Sequence, residues 1–157
     1  MTKRAVIKLA LVLIIALPSA AAVRGKEAMY VGGTLSNIPE KTEGKLDLSG
    51  DSAAVFDSKR GKVVIPYKSI SSLEYGQKAG RRVGVALAVS PVALFSKKRR
   101  HYLSLAFTDE GGNKQGAVFE LSKGTVHATV TALETRSGVK VEFESEEAKK
   151  HFEKEAK

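Results

Sequence analysis

Three histidines, His101, His127 and His151, are the only imidazoles this 157-residue chain can offer to proton transfer or metal binding. No two fall at a metal-ligand spacing within one element, so the sequence predicts neither a histidine metal site nor a histidine-based catalytic centre. His101 follows four bases, Lys97, Lys98, Arg99 and Arg100, whose positive charge opposes its protonation. A strand-capping role is expected for it, and a surface position on a helix for His127. With no cysteine in the chain, disulfides, thiol catalysis and thiolate metal sites are excluded. The stretch GQKAGRR, from Gly76 to Arg82, has the glycines and bases of a phosphate loop but neither the G-x-x-x-x-G-K spacing nor the Ser or Thr that follows it. It reads as a flexible turn. No G-x-S-x-G occurs, and Asp109 and Glu110 lie where a turn favours Asp on local grounds. No cofactor is expected. A hydrolase whose Ser or carboxylate site is assembled only in space stays open as an alternative.

The strongest chemical signal is a different one, GRRVGVALAVSPVALFSKKRRHY, Gly80 to Tyr102. Lys78, Arg81 and Arg82 precede an uncharged apolar run of 13 residues, Val83 to Phe95, and Lys97, Lys98, Arg99 and Arg100 follow it. Ser90-Pro91 interrupts the run, so it is too short and too broken to span a bilayer as one helix. Before the proline, Val83, Val85, Leu87 and Val89 alternate with Gly84, Ala86, Ala88 and Ser90. As a strand, this has one bulky face and one nearly flat face; a helix with a small-residue stripe is equally compatible with so short a run.

Apolar side chains flanked by bases suit a peripheral contact with anionic lipid, the apolar tip entering the headgroup boundary and the bases meeting phosphates. The residues assigned to that contact are Lys78, Arg81, Arg82, Val85, Leu87, Val89, Leu94, Phe95, Lys97, Lys98, Arg99 and Arg100. Two readings compete with it: a structural one, in which the run packs against its own barrel or another copy and the bases are solvated loop ends, and a partner-protein groove that takes the apolar run.

The compartment follows from the start of the chain. Lys3, Arg4 and Lys8 precede an apolar core, Leu9 to Leu17, and Pro18-Ser19-Ala20-Ala21-Ala22 supplies small residues in an A-x-A arrangement. This predicts a secretory signal peptide over residues 1–22, cut after Ala22, with an uncleaved anchor as the alternative. Export to the periplasm or the medium is expected. The leader takes three of the 26 bases and none of the 17 acids, leaving 23 against 17, a net +6. That balance favours anionic surfaces. Export and the lack of aromatics among the bases argue against nucleic acid.

The rest suffices for one domain with a real core. Seven strands are expected: 28–35, 44–48, 53–57, 62–67, 70–76, 101–108 and 114–121. Leu46 and Leu48, then Val63, Ile65 and Tyr67, then Leu103, Leu105 and Phe107, then Ala117, Phe119 and Leu121 form inward faces. Pro66 cannot donate to a ladder, which bends its strand or sets it at an edge. From Lys123 to Ser137 the period changes: Val126, Val130 and Leu133 recur at helical spacing, and Gly138 is a C-cap. A strand-like piece, 139–143, follows. Ser145 then N-caps a polar helix, 146–156, expected to be exposed or loosely docked.

This order, a seven-stranded antiparallel bent sheet or barrel closed by an amphipathic C-terminal helix, is that of the pleckstrin-homology superfold. KVVIPYKSISSLEYG resembles the central hairpin of GRAM and bacterial PH-like domains, and HYLSLAFTDEGGNKQGAVFELSKGTVHATVTALETRSG is similar to their last two strands and closing helix. The resemblance covers roughly residues 28–138. It implies a binding or scaffolding module rather than an enzyme. The organisation expected is a mainly β (α+β) domain over 23–143 and a charged helical tail over 144–157. The phosphoinositide site of eukaryotic PH domains does not transfer: SNIPEKTEG, the connection that would carry it, holds one base, Lys41, against Glu40 and Glu43.

Overall fold

The computed structural model describes residues 28–77 and 100–156. The segment expected to be a signal peptide, residues 1–22, and the connection from Lys78 through Arg99 lie outside the described residues.

The described chain is mainly β, one eight-stranded sheet curled into a half-barrel and accompanied by two helices. In chain order the elements are β1 (Ala28–Gly33), β2 (Thr42–Asp47), β3 (Ala53–Ser58), β4 (Gly61–Pro66), a 3-10 turn (Tyr67–Ser69), β5 (Ile70–Gly76), β6 (His101–Thr108), β7 (Lys114–Leu121), α1 (Val126–Ser137), β8 (Val141–Phe143) and α2 (Glu146–Glu155). The strands lie side by side as β4-β3-β2-β1-β7-β6-β5-β8. The Pro66 strand is therefore at an edge, as a strand lacking that donor must be. The inward faces read from alternation are buried: Leu46, Ile65, Leu103, Leu105, Ala117 and Phe119 all belong to one core.

Turn chemistry accounts for the junctions. Asp109 closes the β6–β7 turn, its carboxylate accepting from the Asn113 backbone N–H at 2.8 Å and from Gln115 Nε2 at 2.8 Å. Gly33 adopts φ 143° after a bulge in the β1–β7 ladder, and a Cβ there would collide with the Gly116 carbonyl. Gly138 caps α1 at φ 75°, its N–H donating to the Glu134 carbonyl at 2.8 Å. Val126, Val130 and Leu133 of that helix are buried in the core, and Arg136 lies over the Tyr67 ring at 5.4 Å.

Two expectations are corrected. The sheet is not wholly antiparallel: β8 pairs parallel to β5, Val141 beside Leu73 and Phe143 beside Tyr75. The strand-like piece expected at 139–143 is present as β8; what three residues cannot encode is the strand they join and the direction in which they join it. The tail helix, expected to be exposed or loosely docked, is packed into the fold: Ala148 and Phe152 are buried in the main core. Phe152 packs among Tyr75, Phe143 and His127 at centroid distances of 6.0, 5.3 and 4.8 Å. One aromatic and one small residue at i and i+4 hold a helix that is otherwise polar.

A second apolar cluster, Val31, Tyr102 and Val118 with Met29 against it, lies on the opposite side of the sheet. Neither α1 nor α2 contributes a residue to it. No helix among the described residues is long and apolar enough to cross a membrane.

Candidate functional site

Arg100 and His101 are the first described residues after the connection and open β6; Gly76 and Gln77 close the preceding strand. Gly76 is paired with Tyr102, so the connection leaves and rejoins the sheet on neighbouring strands. Both roots are fixed by carboxylates. The Gln77 backbone N–H donates to Glu144 Oε2 at 3.0 Å, and Arg100 Nη1 donates to both carboxylate oxygens of Glu120, at 2.9 and 2.7 Å. The Glu120 carboxylate raises the Arg100 pKa further, first through these hydrogen bonds and then through its charge. The charge of Arg100 is thus matched within the fold. The other residues assigned to the contact, Lys78, Arg81, Arg82, Val85, Leu87, Val89, Leu94, Phe95, Lys97, Lys98 and Arg99, lie outside the described residues.

Beside these roots the fold assembles a cluster that spacing within single elements does not reveal. His101 stands opposite Leu121 in the β6–β7 register, on the core side of the sheet and at its rim. α2 crosses that rim. Its Ser145 cap accepts from the Ala148 N–H at 3.2 Å, and Ala148, His151, Phe152 and Glu155 then fall on one helical stripe. Ala148 and Phe152 enter the core, which sets His151 and Glu155 against His101. The two imidazole centroids are 5.0 Å apart. One ring nitrogen of each histidine and one oxygen of Glu155 lie within 4.8 Å of one another.

Tyr75 supports the cluster from below. It is fully buried, and its hydroxyl is 2.9 Å from His101 Nδ1. Burial, with the Glu155 charge adding to it, pushes the Tyr75 phenol up to about 12, so it stays neutral. His101 is driven the other way: burial lowers its pKa, His151 and Lys123 lower it further, and Glu155 and Glu120 oppose the shift. The expected difficulty of protonating His101 is present, but burial is its main cause rather than the run of bases before it. Three atoms at the cluster are buried without a hydrogen-bond partner: His151 Nδ1 and both oxygens of Glu155. Such atoms normally find partners, because leaving each one unsatisfied costs about 1–3 kcal/mol.

The open hydrolase alternative requires His101 or Asp109 to meet another titratable group. His101 meets two; Asp109 is bound within its own hairpin to Asn113 and Gln115. His151 and Glu155 at i and i+4 on the stripe already marked by Ala148 and Phe152 were the available sequence signal. The third member comes from a strand some 50 residues earlier in the chain, and no local spacing reports it.

An open groove of about 1070 Å³ lies between the β2–β3 hairpin and the start of β1. Five bases and four acids line it, which makes it a poor anion trap. Compared with known protein families and with curated proteins, the chain matches none.

Proposed function

We propose that the chain is an exported, non-enzymatic binding module on a PH-like bent sheet, and that its β5–β6 connection, Lys78 to His101, docks on an anionic membrane surface. The supporting observation is the pairing of Gly76 with Tyr102. It starts both basic flanks from adjacent points on a rigid sheet, so two clusters distant in sequence can address one surface. The span 78–99 carries six bases and no acid around its apolar run. Each base near an anionic surface contributes about 1 kcal/mol, and each buried Val, Leu or Phe about 1.5–3 kcal/mol. Two or three inserted side chains with these bases exceed the marginal hold of a single acyl chain.

Flotation of the full chain with vesicles of zwitterionic lipid, with and without phosphatidylserine, tests the proposal. Replacing Lys97, Lys98 and Arg99 by Gln removes about 3 kcal/mol, a loss of roughly 100-fold in partitioning to anionic vesicles. Arg100 is left in place because Glu120 already matches it. Unchanged partitioning of the triple variant would refute the electrostatic contact.

A second reading has its own observation. Val31, Tyr102 and Val118 are buried on the face away from both helices, so that face takes apolar cover. The run 83–95 joins the Tyr102 strand and could supply such cover to its own sheet or to a second copy, making the chain a protein-interaction or self-association module. That reading expects a concentration-dependent dimer in sedimentation, abolished by Leu87→Asp.

A further inference from the structure

We infer that His101, His151 and Glu155 form a binding site for a divalent transition metal of the zinc class, which ties α2 to the root of β6. The inference is independent of what meets the connection.

The donor set is two imidazoles and one carboxylate. Such N and O donors suit zinc and its neighbours, whereas magnesium and calcium prefer oxygen-rich shells. Bonds of about 2.0–2.1 Å put the ligand atoms of a tetrahedral zinc roughly 3.3 Å apart. The cluster's ligand atoms lie within 4.8 Å of one another, and His151 Nδ1 is 3.9 Å from Glu155 Oε1. The ligand atoms therefore need to approach one another by about 1.5 Å or less, a distance within the reach of side-chain torsions. Three protein ligands leave a fourth position for water or an exogenous ligand.

Two further observations distinguish the cluster from a chance meeting of polar groups. His151 Nδ1 and both Glu155 oxygens are buried without partners, and one cation at this point satisfies donors on both residues. The Tyr75 hydroxyl engages His101 Nδ1, which restrains the ring and leaves Nε2 as the nitrogen for a metal. A hydrogen bond to the other ring nitrogen is the usual support of a metal-bound imidazole. Tyr75 is therefore a positioning residue. Mechanically, the ion would join the first residue of β6 to the last turn of α2, fastening the tail across the end of the half-barrel.

The test uses the untagged full chain, stripped with chelator, and zinc alone as the probe. Isothermal titration is expected to give one zinc per chain at micromolar or tighter affinity, with a rise in melting temperature and greater amide protection in α2. Millimolar magnesium or calcium is expected to give no such rise. Cobalt(II) should develop the visible absorption of a tetrahedral site. Glu155→Gln and His151→Ala should each weaken zinc binding at least tenfold, and Tyr75→Phe about tenfold. His127→Gln, which touches Phe152 but stands outside the cluster, should keep it. Each variant is compared with and without zinc, so a less stable fold does not mask the result. Absence of a zinc-dependent shift in the native chain overturns the inference, as does zinc binding that survives both Glu155→Gln and His151→Ala.

Discussion

Replacing Phe152 by Ala tests whether the polar C-terminal helix belongs to the cooperative core. Phe152 is 9% exposed and lies against three rings, those of Tyr75, Phe143 and His127. Truncating a buried Phe costs about 3–5 kcal/mol, made of lost transfer energy and the cavity left behind. Because this ring sits at the rim, water can enter the space it vacates, which sets the expectation at the lower end, about 3 kcal/mol. With a denaturant slope of about 2 kcal/mol/M in urea, the midpoint should fall by roughly 1.5 M. Urea unfolding followed by circular dichroism on the full chain measures this, and the slope should stay unchanged. A midpoint shift under about 0.5 M at constant slope would mean that α2 contributes little to global stability. The docked helix would then be an appendage, and the reasoning from its apolar stripe would be wrong.

Other expectations follow from single contacts. Asp109 has its pKa lowered by hydrogen bonds from Gln115 and Asn113, so its contribution is fully present above the unfolded carboxylate value of about 3.9. That contribution is lost as pH falls through the lower native value, and Asp109→Ala should flatten the acid limb of a thermal-stability profile. Gly33→Ala places a methyl against the Gly116 carbonyl at φ 143°, and should destabilise by about 1–3 kcal/mol in the same urea assay; a neutral result would contradict the bulge geometry. Glu120→Gln removes the partner of a half-exposed Arg100. It should cost only about 0.2–1 kcal/mol of stability while strengthening vesicle partitioning, since it frees a base at the root of the connection.

Much of the sheet was legible because its strands alternate against one core. Leu103, Leu105 and Phe107, or Ala117, Phe119 and Leu121, could face only one way. Gly138 and Ser145 marked helix ends by local stereochemistry, and both act as caps. What escaped was set by tertiary contact. The strand-like piece expected at 139–143 is present as β8, but its parallel pairing follows from the free edge of β5, and no three-residue pattern encodes a partner or a direction. The polarity of α2 concealed how much two residues, Ala148 and Phe152, could anchor when an aromatic pocket already existed. His101 looked isolated for the same reason: its partners sit on that helix, and their approach depends on Phe152 reaching Tyr75. The docking of the tail and the assembly of the cluster thus share one cause, the burial of Phe152.

The position of β1 bears on how the molecule is made. It is the first described strand in the chain yet lies in the interior of the sheet, hydrogen-bonded to β2 on one side and β7 on the other. While the chain emerges in order, β1 to β4 can form a local meander, but one edge of β1 stays bare until β7, Lys114–Leu121, has appeared. Pairing of Ala28 with Leu121 is thus a long-range contact that closes most of the sheet between its two partners. A nascent chain held at that stage exposes a ready template for another strand, so yield during synthesis should depend on how quickly β7 arrives.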